Sequence, residues 1–164
     1  MIFTQDIRKI VERIKTQTRR IVKPGEQLVW NDDDNRHHFV LTPGGRVKWR
    51  VGQDYAVQPG RGYHGVYYDT DTGVIYGRGY KSYNLNAYAS KYVRPLRIKI
   101  LSLHYPKRLQ TISLHDAIHE GIGATDEPVA DYERLWDSIN KQPGTRWHDN
   151  PNVWVIKFEV LSND

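Results

Sequence analysis

Cysteine is absent from this sequence, and that single absence removes several kinds of chemistry. There can be no disulfide, no thiolate metal site, no iron–sulfur cluster and no cysteine nucleophile. A small, disulfide-stapled secreted module is excluded with them. Long apolar runs are missing too: none approaches the roughly 18 residues that a membrane-spanning helix needs. The opening residues Met1-Ile2-Phe3-Thr4-Gln5-Asp6 show no basic stretch followed by an apolar one, so no secretory signal is visible. The expectation is a soluble, cytoplasmic chain with no membrane partner. With one Met and three Phe, the large apolar surfaces must come from elsewhere, and five Trp and eleven Tyr supply them.

A length of 164 residues fits one domain. Folding at that size buries roughly 70% of the unfolded chain's surface, enough for a true core. Hydrophobic residues make up only 38%, yet the 12% aromatic share argues against disorder. The net charge of +5 conceals an asymmetry. Residues 1–23 carry a balance of +5, residues 24–35 of −4, residues 36–108 of +10 and residues 109–164 of −6. Basic stretches interleaved with Tyr and Trp suit a polyanionic partner such as a nucleotide or RNA, or else form a solvated surface.

Patterning places the elements. Thr4 caps a short amphipathic helix with Ile7, Ile10, Val11 and Ile14 on one face, Asp6 in its first turn and its end near Lys15. Thr16 to Val22 reads as a strand stopped by Pro24-Gly25, followed by an acidic polar loop over 26–36. His38–Leu41 and Arg46–Arg50 flank Thr42-Pro43-Gly44-Gly45 as a hairpin, and Asp54–Gln58 is a further strand. Residues 63–93 hold eight of the eleven tyrosines and little aliphatic material. They read as an insertion with a hairpin of 66–68 against 74–76, too thin to close a core alone. Arg94–Tyr105 is a long strand whose apolar parity changes at Ile100-Leu101, which predicts a bulge and a bend. Ser113 with Asp116 caps a short helix stopped by Gly121. Pro128 opens a second helix with Tyr132, Leu135, Trp136 and Ile139 on one face, and Trp154, Ile156, Phe158 and Val160 alternate along a last strand. The fold class is α+β, a small barrel with short flanking helices, as a single domain over 1–164 with 63–93 inserted.

Several of these segments, in this order, resemble the ASCH domain family of the PUA-like β-barrel fold, especially its phage-type members. They are Lys15-Thr16-Gln17-Thr18-Arg19-Arg20, matching a K-T-x-T-x-R signature; Trp49, Gly52-Gln53 and Tyr55–Gly62; Asp116-Ala117 and Glu120-Gly121-Ile122; and Leu135-Trp136, Trp147, Asn150-Pro151 and Val153-Trp154-Val155. The resemblance covers nearly the whole chain except 30–48 and 63–93. It implies a barrel whose cleft takes a nucleobase or an RNA segment. One branch, the bacterial N(4)-acetylcytidine amidohydrolases, removes an acyl group from the cytosine amine; its essential Lys, Thr, Arg and Glu carry over to Lys15, Thr18, Arg20 and Glu120. Other branches imply a ribonuclease or a non-catalytic RNA or modified-base reader. No cofactor is implied.

The chemistry is self-sufficient on paper. A hydroxyl such as that of Thr18, or a water that Thr18 positions, needs a neighbour to take its proton. Lys15 serves if nearby Arg13, Arg19 and Arg20 or burial favour its neutral form. Glu120 can shuttle the proton to the leaving amine, and Arg20 can stabilise the oxyanion. Lys15 and Thr18 differ in strand parity, so a regular strand points them apart and only a turn at Lys15 lets them converge. Lys, Thr and Arg at a helix–strand junction also suit a phosphate site, or an idle surface. Arg19, Arg20, Gln58, Arg61, Tyr63 and Trp147 are the residues expected to bind substrate or nucleic acid.

Three weaker signals complete the reading. Gly60-Arg61-Gly62-Tyr63-His64-Gly65 spells a dinucleotide motif, but no helix follows it. His115 and His119 have the i, i+4 spacing of metal ligands without a compelling third ligand, so they read as surface histidines. His37-His38 beside Asp32-Asp33-Asp34 reads as a solvated acidic loop. Trp136 and Trp154 follow core patterns, whereas Trp147 in a polar loop is equally suited to stacking.

Overall fold

The computed structural model describes residues 3, 7–30, 38–58, 63–68, 75–79 and 94–161, with backbone alone for 63–68, 75–79 and 94–95. Thr4, Asp6, the 31–37 segment with Asp32–Asp34 and His37, Arg61 and the 80–93 stretch lie outside it. The described chain is α+β, with a curled antiparallel sheet as a half-barrel and a few short helices.

In chain order the elements are α1 (Ile7–Val11), β1 (Gln17–Ile21), β2 (Gln27–Val29), β3 (Phe39–Leu41), β4 (Val47–Arg50), β5 (Asp54–Ala56), β6 (Tyr63–Tyr68), β7 (Ile75–Gly79), β8 (Arg94–Pro95) and β9 (Arg97–Arg108). After them come a 3-10 turn (Leu109–Thr111), α2 (Leu114–Ala117), a π-turn (Ile118–Ile122), α3 (Pro128–Ile139) and β10 (Asn152–Val160). The main sheet runs β1-β10-β9-β5, all pairs antiparallel. Two smaller sheets run β2-β3-β4 and β7-β6-β8. The expected hairpin of the Tyr-rich region is β6 against β7, with Tyr67 facing Tyr76.

The parity change in β9 is a bulge. Ile100 pairs with Phe158 and Ser102 with Lys157, so Leu101 has no partner and stands 51% exposed. The extra residue keeps Ile98, Ile100 and Leu103 all buried on one face while the strand bends, as curling requires.

That inner face packs in two patches. Ile98 and Phe158 meet Ile10 of α1, Phe3, Val57 and Leu96. Ile100, Leu103, Trp154 and Ile156 meet Val40 and Trp49 of the β2-β3-β4 sheet. The outer face is covered by the helices: Val153 joins Leu109, Ile112, Ala117, Tyr132 and Trp136. Strand β10 is therefore buried on both sides, which is why Val153-Trp154-Val155-Ile156 is continuously apolar. Each such side chain contributes about 1.5–3 kcal/mol by leaving water.

Two expectations need correction. Helix α1 stops at Val11 rather than near Lys15, because Arg13 adopts φ 58 and closes it. Ile14 N–H reaches the Lys9 carbonyl and Arg13 N–H the Ile10 carbonyl, the paired bonds of a Schellman ending. Residues 27–29, expected in a loop, form β2 by pairing with β3. Three residues are too few to show an alternating pattern, so their partner decides the conformation.

Candidate functional site

The helix ending determines where Lys15 goes. Its N–H also bonds to the Lys9 carbonyl, so the chain reverses just before β1. Thr16 then ties two elements together: its N–H bonds to the His119 carbonyl and its carbonyl accepts from Phe158 N–H. From this start, the Lys15 side chain passes over Gly121. A Cβ built on Gly121 would lie 3.2 Å from Lys15 Cβ and 3.3 Å from Lys9 Cδ, and the residue sits at φ +95. Glycine is needed there for both reasons.

Beyond Gly121 the ammonium group meets Glu120. Lys15 Nζ donates to the Glu120 carbonyl oxygen and lies 3.3 Å from its Oε2. Arg19 holds the other carboxylate oxygen, Nη1 to Oε1 at 3.0 Å, and reaches Asp116 Oδ2 through Nη2 at 2.8 Å. Two cations, four residues apart on one chain segment, thus face two carboxylates four residues apart on another. Glu120, Lys15 and Arg19 expose only 2%, 5% and 3% of their side chains. Burying a carboxylate costs several kcal/mol unless it is paired, and Glu120 is paired twice.

Two residues beside the pair, Asp116 and Gln17, were not singled out as site residues from sequence. Asp116 entered as the partner of Ser113 in the helix cap and within the Asp116-Ala117 segment of the resemblance, and its N–H does donate to the capping Ser113 Oγ. Burial pushes its carboxyl up, but the hydrogen bond and charge of Arg19, with help from Gln17 and Lys157, outweigh this and hold it below the usual range. Gln17 is 1% exposed beside that carboxylate, although its Nε2 finds no partner with hydrogen-bond geometry among the described residues. A sequence signal existed: Asp116 and Glu120 have the i, i+4 spacing that places them on one side of a helical segment.

Thr18 lies elsewhere. Directly opposed residues in a sheet share a face, and Thr18 pairs with Ile156 while Arg19 pairs with Val155. Thr18 therefore faces the buried interior with Ile156, and Arg19 faces the helices. Arg20 pairs with Trp154 on the interior side, with its guanidinium 5.1 Å from the centre of the Phe3 ring. The structure brings Lys15, Arg19 and Glu120 together and sets Thr18 and Arg20 across the strand from them.

The other expected binding residues are spread out. Gln58 is bonded through its carbonyl to Phe3 N–H at 2.7 Å. Tyr63 begins β6, where only the backbone is described, and Arg61 lies outside the described residues. Trp147 is anchored by its N–H on Asp137 Oδ1 at 2.7 Å, with its ring 6.3 Å from Tyr132 against the α3 cluster. Trp136 and Trp154 are buried, as their patterns predict.

A second buried carboxylate was missed altogether. Glu26, expected in a solvated loop, accepts from Lys48 Nζ, from Trp154 Nε1 at 2.8 Å and from Lys23 N–H at 3.2 Å. No helix among the described residues is long and apolar enough to cross a membrane.

Comparison with protein families, with curated proteins and with solved structures finds no match to this chain.

Proposed function

We propose that this chain is an ASCH-type hydrolase of the PUA-like class that removes an N(4)-acyl group from a cytosine-type base. The motif series along the chain supports this reading, and a curled antiparallel sheet with short helices is compatible with it. One observation carries it: Lys15 and Glu120, two of the four residues that the resemblance makes essential, form a buried ion pair. A buried pair is a weak source of stability, and charged groups held out of water this way cluster at functional sites.

The pair offers a route for protons. Glu120 Oε2 takes a proton from Lys15 Nζ, leaving a neutral amine, while Arg19 keeps the other oxygen fixed. The amine then takes a proton from an attacking water, whose oxygen bonds to the acyl carbon as the carbon–N(4) bond breaks. Glu120 returns its proton to the departing amine, so the products are the free base and the carboxylic acid. Because Thr18 lies across the strand, water is the nucleophile here, and Thr18 and Arg20 line the interior side. The test is hydrolysis of N(4)-acetylcytidine by the wild type and by Lys15→Ala.

A second reading has its own observation. Thr18 does not share a face with the pair, and residues 36–108 carry a balance of +10. A non-catalytic reader of RNA or a modified base fits both. Its affinity falls steeply with salt as phosphate contacts release counterions; a flat salt response rejects it.

A further inference from the structure

We propose that His115 and His119 form a two-nitrogen chelate for a divalent transition-metal ion, oriented by Thr16. Their Nε2 atoms stand 3.1 Å apart. Two imidazole nitrogens bound to one ion at ordinary metal–nitrogen distances lie about 2.9–3.3 Å apart, from octahedral to tetrahedral angles. That separation also meets hydrogen-bond geometry between the two ring nitrogens, so a bound ion takes the place of that contact. The ring centres are 4.3 Å apart with planes at 62°. Two histidines about one helical turn apart thus hold both Nε2 atoms within the span of one ion.

The far side of the site supplies the second feature. His119 Nδ1 is bonded to Thr16 Oγ1 at 2.8 Å, and the His119 carbonyl accepts Thr16 N–H. With the hydroxyl accepting from Nδ1–H, the lone pair is left on Nε2, where a metal needs it. A polar partner on the other nitrogen is the usual support of a ligating histidine. His115 is exposed and His119 half-buried, so water can complete the coordination. No group of three or more His, Asp or Glu able to hold an ion occurs among the described residues, so the chelate is open and exchangeable. Imidazole pairs select zinc, nickel and copper over magnesium and calcium, which prefer oxygen. The inference does not rest on the hydrolase reading, and the proton route through Lys15 and Glu120 makes no use of this ion.

The experiment is calorimetric titration of chelator-stripped, full-length protein with Ni2+ alone and with Zn2+ alone, with Mg2+ as control, followed by histidine side-chain NMR. The expected result is saturable binding of one ion per chain, with the His115 and His119 signals shifted and Mg2+ silent. His115→Ala and His119→Ala should each weaken it at least tenfold, and Thr16→Val by about tenfold with the stoichiometry kept. The chain has seven histidines, so binding that survives His115→Ala unchanged would place the ion elsewhere and overturn the proposal. Absence of saturable binding up to millimolar ion would overturn it as well. Neither result bears on acyl hydrolysis, which is assayed separately.

Discussion

Lys15 and Glu120 stand 105 positions apart in the chain and meet in a pair that leaves 5% and 2% of their side chains exposed. Arg19 grips the same carboxylate from β1, so one buried anion is shared by two cations. The consequences for the two sides of the pair are unequal.

Removing the anion takes a charged partner from both cations, leaving Lys15 with the Glu120 carbonyl and Arg19 with Asp116, whereas removing one cation leaves the anion with the other. Glu120→Gln is expected to cost about 3–5 kcal/mol of stability. Lys15→Met is expected to cost less, about 1–3 kcal/mol, because Arg19 still satisfies the carboxylate. Urea denaturation of the two variants beside wild type decides the order, and equal losses would show that the carboxylate is not shared.

Gly121 is the hinge over which Lys15 passes. Gly121→Ala puts a side chain at φ +95 and against Lys15 Cβ. The backbone strain alone is about 1–2 kcal/mol. The thermal midpoint should fall accordingly, and any turnover should fall with it because the ammonium is displaced. A variant as stable as wild type would mean that the turn relaxes freely.

Stability should also depend on pH through Glu26. Burial pushes its carboxyl up, but Lys48, Trp154 and the Lys23 N–H outweigh it and hold it below its ordinary value of 4.5. The folded pKa is thus lower than the unfolded one. The contribution is complete above the unfolded value and is lost as pH falls through the folded value. Wild type should lose more stability than Glu26→Gln between neutral pH and pH about 3. Parallel losses would show that Glu26 is not the group responsible.

Much of this architecture is legible in the residues, because local patterns and tertiary packing agree. The parity change at Ile100-Leu101 announces the bulge, Ser113 with Asp116 caps α2, and Pro128 opens α3. What escaped has physical causes. Arg13 at positive φ is not glycine, so nothing in the residue type marked the end of α1. Glu26 looked solvated because its partners Lys48 and Trp154 are 22 and 128 positions away. In the site, Lys15 of the K-T-x-T-x-R segment and the distant Glu120 do meet. Thr18 is set across the strand by its register with Ile156, which strand parity already allowed.

That placement separates two roles for Thr18. On the interior face, away from Lys15 and Glu120, Thr18→Val should lower kcat/KM by no more than about tenfold, or about 1.4 kcal/mol. As the nucleophile, it would abolish turnover. Steady-state kinetics on one acylated cytidine distinguish them, with circular dichroism confirming that the variant is folded.

The most direct test of the Lys15–Glu120 centre is chromatographic assay of N(4)-acetylcytidine and bulkier N(4)-acyl cytosines, with wild type beside folded Lys15→Ala protein. The expected result is release of cytidine or cytosine and the free acid by wild type, with loss of turnover in the variant. Turnover that persists in Lys15→Ala, or a folded wild type inert across the whole series, would contradict a hydrolytic role for the pair.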